Sequence, residues 1–131
     1  MNKALENDIR NSPVIVHPGR YAYLKMSTFP EEKKVFMITR DDDEITVVAE
    51  EHELKHLGYQ EDTKWFKLIE IQTASPFMVP GFIATITSAI ASKGLTVLVV
   101  STYSKDYFLV HEERLDVACD ALRSIGFTLK T

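Results

Sequence analysis

One cysteine in 131 residues leaves nothing to pair with, so the fold does not rest on disulfides and a multi-cysteine zinc site is excluded. No apolar run approaches membrane-spanning length, and the N-terminus lacks the charged-then-apolar order of a secretory signal, so a soluble, cytoplasmic protein is expected. Charge of one sign is also scarce. With 15 basic and 19 acidic residues interspersed and a net charge of −4, there is no basic stripe for a phosphate backbone. Neither nucleic acid nor membrane is an expected partner. The chain has no phosphate-binding glycine loop, nucleophile elbow or Ser-His-Asp arrangement, so it is read as a non-enzyme with no catalytic residue and no cofactor.

What the sequence does have is periodicity. Residues 64–72 alternate like a strand, and Thr73 to Pro80 form a loop with two prolines. From Gly81 to about Lys93 the chain reads as a helix, with Val79, Ile83, Ile86 and Ile90 on one stripe and Thr85, Ser88 and Ser92 opposite. Gly94 stops it where left-handed backbone is cheapest. Leu95 to Val100 is apolar and β-branched, the pattern of a strand buried on both faces, and Ser101 to Asp106 joins it to a second strand at 107–110. A second helix is expected at 112–124, with Leu115, Ala118, Cys119, Leu122 and Ile125 inward, and a last strand at 127–130. Cys119 is therefore expected as a small core residue, and Met26, Met37 and Met78 as core fillers.

This is a β-α-β-β-α-β order, an α+β, ferredoxin-like antiparallel sheet with helices on one face. The right-handed crossover makes strands 64–72 and 95–100 parallel, with 107–110 between them. Loops 73–81 and 101–106 then meet at one edge, beside the start of the first helix.

The first half reads as a shorter copy. Residues 20–26, 34–39 and 44–49 are strand-like, and Arg40 to Asp43 is an acidic turn between the last two. Ser27 to Lys33 stands where a first helix would be but has room for about one turn, and Glu50 to Leu57 reads as a brief helix. Residues 2–10 read as another short helix and 12–19 as an extended lead-in. Residues 58–63 are the boundary, giving units 1–60 and 61–131. His52 and His56 have helical i,i+4 spacing beside Glu53, but a charged segment without a third ligand reads as a solvated helix rather than a metal site.

The run Gly94-Leu-Thr-Val-Leu-Val-Val-Ser-Thr-Tyr-Ser-Lys-Asp-Tyr-Phe-Leu-Val110, followed by an amphipathic helix, resembles the C-terminal regulatory repeat of aspartokinase-type ACT domains. The lead-in Ser12-Pro-Val-Ile-Val-His-Pro-Gly-Arg-Tyr-Ala-Tyr23 extends the similarity to small stand-alone tandem ACT proteins. The resemblance implies a degenerate ACT-like unit at 1–60, an ACT domain at 61–131, and the binding of an amino acid or other small ligand to regulate a partner enzyme. In that family the loop after the first strand and the end of the second strand line the ligand. Here these are Ser75 to Phe82 and Ser101, Thr102 and Tyr103.

The chemistry of those positions suits a zwitterion. A carboxylate is held by N–H groups at a helix start, here Gly81, Phe82 and Ile83, with Pro80 lacking one donor. Asp106 is the candidate partner for an ammonium, and Ser101 and Thr102 offer hydroxyls. The expected ligand-binding set is Ser75, Pro80, Gly81, Phe82, Ser101, Thr102, Tyr103 and Asp106. Each has a plainer explanation. Ser75-Pro76 and Pro80-Gly81 are ordinary turn residues, and Asp106 can bond its own hairpin backbone. The rival function is a ligand-free protein–protein assembly module using the same edge. A homodimer of side-by-side units is expected in either case, because the apolar strands would otherwise face water.

Overall fold

Alternation in 64–72 produces a strand with two destinations for its side chains. In a computed structural model, described over residues 1–31 and 34–130, strand β5 is Glu61–Ile71, and Ile69 and Ile71 point into a core while Leu68 and Glu70 take the opposite face. The chain divides into two units, one made of residues 1–18 and 67–131 and the other of residues 19–66.

In the first unit β5 is followed by α2 (Phe82–Ala91), β6 (Leu98–Ser101), β7 (Asp106–His111), α3 (Leu115–Ser124) and β8 (Leu129–Lys130), the expected β-α-β-β-α-β order. Strand β7 pairs with both β5 and β6, antiparallel to β6 with Leu98 opposite Leu109 and Ser101 opposite Asp106. Helices α2 and α3 cover one face, burying Ile86, Ile90, Ala118, Ala121 and Leu122 against Ile69, Ile71, Phe108 and Val110. Cys119 is buried, which pushes its thiol pKa up, as expected of a core thiol rather than a nucleophile.

The lead-in does more than lead in. Val14–Val16 form β1, antiparallel to β5 with Val14 opposite Ile71, and parallel to β8 with Val14 opposite Leu129. Before it, α1 (Lys3–Arg10) starts at Asn2, whose Oδ1 accepts the Leu5 N–H at 2.8 Å, and adds Leu5 and Ile9 to the same core.

Three expectations for the first unit need correction. Residues 95–100 are not a strand buried on both faces. Pairing begins at Leu98, and Val99 is 39% exposed, because β6 bonds only to β7 and has an open edge. Leu95 and Val97 still reach the core, from the turn that Gly94 makes at φ 79°. Phe82 and not Ile83 leads the buried stripe of α2, and its ring meets Phe127 edge to face with centroids 5.9 Å apart. Met78 is no core filler, being 75% exposed, while Met26 is buried.

The second unit holds β2 (Tyr21–Met26), β3 (Met37–Arg40) and β4 (Ile45–Glu50), with β2 antiparallel to β4 and to the early part of β5, and β3 antiparallel to β4. The acidic turn has a local cause: Asp41 Oδ1 accepts the N–H groups of Asp43 at 2.8 Å and Glu44 at 3.0 Å. Residues 27–31 make bends and no helical turn, while 32–33 lie outside the described residues. The brief helix at 50–57 is a 3-10 turn, Glu51–His56, and its Leu54 packs with Leu24, Val47 and Ala49 in a separate core.

Candidate functional site

Two loops of the first unit converge because one carboxylate ties them. Asp106 closes the β6–β7 hairpin, where its Oδ1 accepts the Ser101 hydroxyl at 2.7 Å, and its Oδ2 accepts the Thr73 hydroxyl at 2.8 Å. Asp106 thus bonds side chains on both strand ends, not its own hairpin backbone. Within the hairpin the Thr102 N–H donates to the Lys105 carbonyl at 2.9 Å, leaving Tyr103 at the tip.

The other loop is anchored from α1. Ser12 Oγ donates to the Asp8 carbonyl and accepts the Ala74 N–H at 2.9 Å. The loop then turns through Phe77, at φ 68°, and reaches Gly81, at φ 90°. Gly81 is the N-cap of α2 and supplies no side-chain cap. The first intrahelical bond runs from the Thr85 N–H to the Gly81 carbonyl at 2.9 Å, so the N–H groups of Phe82, Ile83 and Ala84 come before it.

These segments line one pocket of about 370 Å³, and every residue named from the sequence is on its wall: Ser75, Pro80, Gly81, Phe82, Ser101, Thr102, Tyr103 and Asp106. Ile83 and Ala84 line it too, which puts the uncapped helix start, with its positive dipole end, against the cavity. Sequence reasoning missed Thr73 and Lys105, and included Phe77 only within the stretch Ser75 to Phe82 that the resemblance implied. The loop ranges contained all three, but nothing in the sequence shows that Thr73 would bond Asp106 or that Phe77 would turn outward.

Lys105 links the pocket to a buried acid. Its Nζ lies 3.3 Å from Glu70 Oε2, and Glu70 is 6% exposed, on the β5 face opposite the helices. Glu70 also meets His17 Nε2 at 2.9 Å and accepts from Gln72 Nε2 at 3.1 Å. Burial pushes its carboxyl pKa up, but the bonds from His17, Gln72 and Lys105, with the Lys105 charge, outweigh that and hold it below the ordinary 4.5. A depressed acid stabilises the fold above its unfolded pKa and loses that contribution as pH falls through the folded value. Melting temperature should therefore drop as pH is lowered below about 4.5, and drop less steeply in Glu70→Gln. Parallel melting curves for the two proteins across that range would remove the network from the account.

In the second unit, His52 Nδ1 sits 2.5 Å from Glu50 Oε2 and its Nε2 sits 3.6 Å from Glu53. Among the described residues no three His, Cys, Asp or Glu side chains are grouped to hold a metal ion, and no helix is long and apolar enough to cross a membrane.

Residues 62–124 match a family model described as an ACT domain. No curated protein matches the sequence. A Vibrio cholerae protein of unknown function, described as a possible transport protein, superposes with a TM-score of 0.82 over 95% of this chain and 97% of its own, at 21% identity. A protein from Agrobacterium tumefaciens superposes at 0.75, over 91% of this chain and 92% of its own, at 24% identity. The regulatory subunit of aspartate kinase from Thermus thermophilus, in a ligand-free form, superposes at 0.65, over 89% of this chain and 97% of its own, at 13% identity. At such identities the likeness is one of fold.

Proposed function

We propose, from the match of residues 62–124 to an ACT-domain family model, that the protein is a cytoplasmic regulatory sensor that binds a small molecule, an amino acid by class, and performs no chemistry itself. One observation carries this reading: the uncapped start of α2 and the Asp106 hairpin border the same cavity. A zwitterion needs such a pair. Its carboxylate accepts from the first-turn N–H groups, and its ammonium sits against Asp106, whose two oxygens keep acceptor capacity beyond the hydroxyls of Ser101 and Thr73.

In the same reading residues 1–60 are a degenerate ACT-like unit with no site of their own, and 61–131 carry the ligand. Within that stretch α1 packs into the core of the first unit, and residues 19–60 have a 3-10 turn and no α-helix among those described, so the degenerate unit lacks a dipole-bearing first turn of its own. The functional form is a homodimer. The open edge of β6, with Val99 outward, is the kind of surface that a second chain covers, and a partner enzyme is the regulated target. The alternative, an assembly module without ligand, draws on the exposed Phe77, Met78 and Tyr103 around the pocket.

Thermal-shift screening with the common amino acids at about 10 mM tests the reading, because a ligand at 100 times its Kd adds about 2.7 kcal/mol to native stability. For a domain of this size that is a rise of roughly 8–14 °C. Asp106→Asn, which keeps an acceptor and removes the charge, should lose most of that rise. No shift with any amino acid would leave the assembly module, and sedimentation showing only monomer at micromolar concentration would remove the dimer.

A further inference from the structure

The mouth of the pocket carries two aromatic side chains that the fold does not bury. Phe77 and Tyr103 are 80% and 84% exposed, yet their rings meet edge to face with centroids 5.4 Å apart. They come from different loops, Phe77 from the one anchored by Ser12 and Tyr103 from the hairpin tip, so their contact bridges the opening. Phe77 holds φ 68°, the left-handed region that a non-glycine residue occupies at a cost. An aromatic side chain kept outward in costly backbone contributes little to the core, and its nearest aromatic partner is the ring across the mouth.

Granting the sensor reading of this pocket, we propose that Phe77 and Tyr103 form an aromatic gate that selects ligands with a flat apolar body bearing a carboxylate. The wall behind the gate is suited to such a body: Pro76, Val79, Pro80 and Ile83 are apolar, and about 370 Å³ is more room than a small polar side chain fills. The start of α2, on the same wall, receives the anionic group. A planar ligand takes from each gate ring the edge-to-face contact that the two now make with each other, so opening the gate costs little when the incoming body is aromatic. A small polar ligand breaks that contact and replaces it with nothing.

Isothermal titration of the full chain with L-tryptophan, L-phenylalanine and L-serine tests the gate. Both aromatic probes should bind more tightly than serine. Phe77→Ala and Tyr103→Ala should each weaken the aromatic probes about three- to tenfold and leave serine unchanged, while Tyr103→Phe retains wild-type affinity. Both side chains are exposed, so these variants keep the fold and the comparison stays readable. Serine bound as tightly as tryptophan, or aromatic affinity unmoved by the alanine variants, overturns the gate and leaves the sensor standing. Absence of a thermal shift with every amino acid overturns both. A double variant that turns from dimer to monomer with aromatic affinity unchanged also overturns the gate and assigns the two rings to chain association.

Discussion

Phe108→Ala is expected to lower the unfolding free energy by about 3–5 kcal/mol, the usual cost of emptying a fully buried phenylalanine site. Phe108 is completely buried on β7, the strand bonded to both β5 and β6, and it packs in the core that α2 and α3 cover. Neighbours on both sides of the strand are held by backbone pairing, so they have little freedom to close around the cavity, which favours the upper part of that range. A total stability of about 5–15 kcal/mol is typical, so this one change removes a large fraction of it. Phe77→Ala, by contrast, should move stability by about 0.5 kcal/mol or less, because an exposed side chain away from caps and networks contributes little. Urea titration of the two variants measures both differences. A Phe108→Ala loss below about 1 kcal/mol would mean that the β7 strand is not the centre of this core.

The contrast between those two phenylalanines also marks how far the sequence could be read. Element order in 64–130 was legible because amphipathic helices, glycine stops and β-branched runs each follow from one local periodicity. The inward stripe of α3, with Ala118, Cys119 and Leu122, came out as read for the same reason. Crossover handedness then carried loops 73–81 and 101–106 to one rim, the resemblance to ACT domains picked out residues in and beside them, and the pocket wall contains all eight that were named. Non-local facts were not legible. The half-exposure of β6 depends on what lies beside it, which a run of valine and leucine does not encode. Pairing of β1 with both β5 and β8 depends on a three-residue strand of a kind that periodicity is too short to show. The outward turn of Phe77 is a backbone exception, and the pairing of buried Glu70 draws, besides its neighbour Gln72, on His17 and Lys105, which lie far from it along the chain.

Gly81→Val tests the hinge between fold and site, and its effect should have two separable parts. At φ 90° and ψ −3° the residue occupies left-handed backbone, where a β-branched side chain is strained, and a Cβ there would already lie 3.5 Å from Leu5 Cδ2. Strain of about 1–3 kcal/mol, partly offset by the lower unfolded-state entropy of valine, gives a net loss near 1–2 kcal/mol. The approach to Leu5 is ordinary contact, so the strain lies in the backbone angle; its relief turns the loop, and the first-turn N–H groups of α2 move with it. A series resolves the two parts. Stability should fall in the order Gly, Asn, Ala, Val, because asparagine tolerates left-handed backbone and alanine carries the strain without the branches. Ligand-induced thermal shift should survive in Gly81→Asn and vanish in Gly81→Val, measured against each variant's own melting temperature. A valine variant as stable as the wild type would show that the loop does not depend on this backbone angle. A full shift in that variant would place the ligand away from the start of α2.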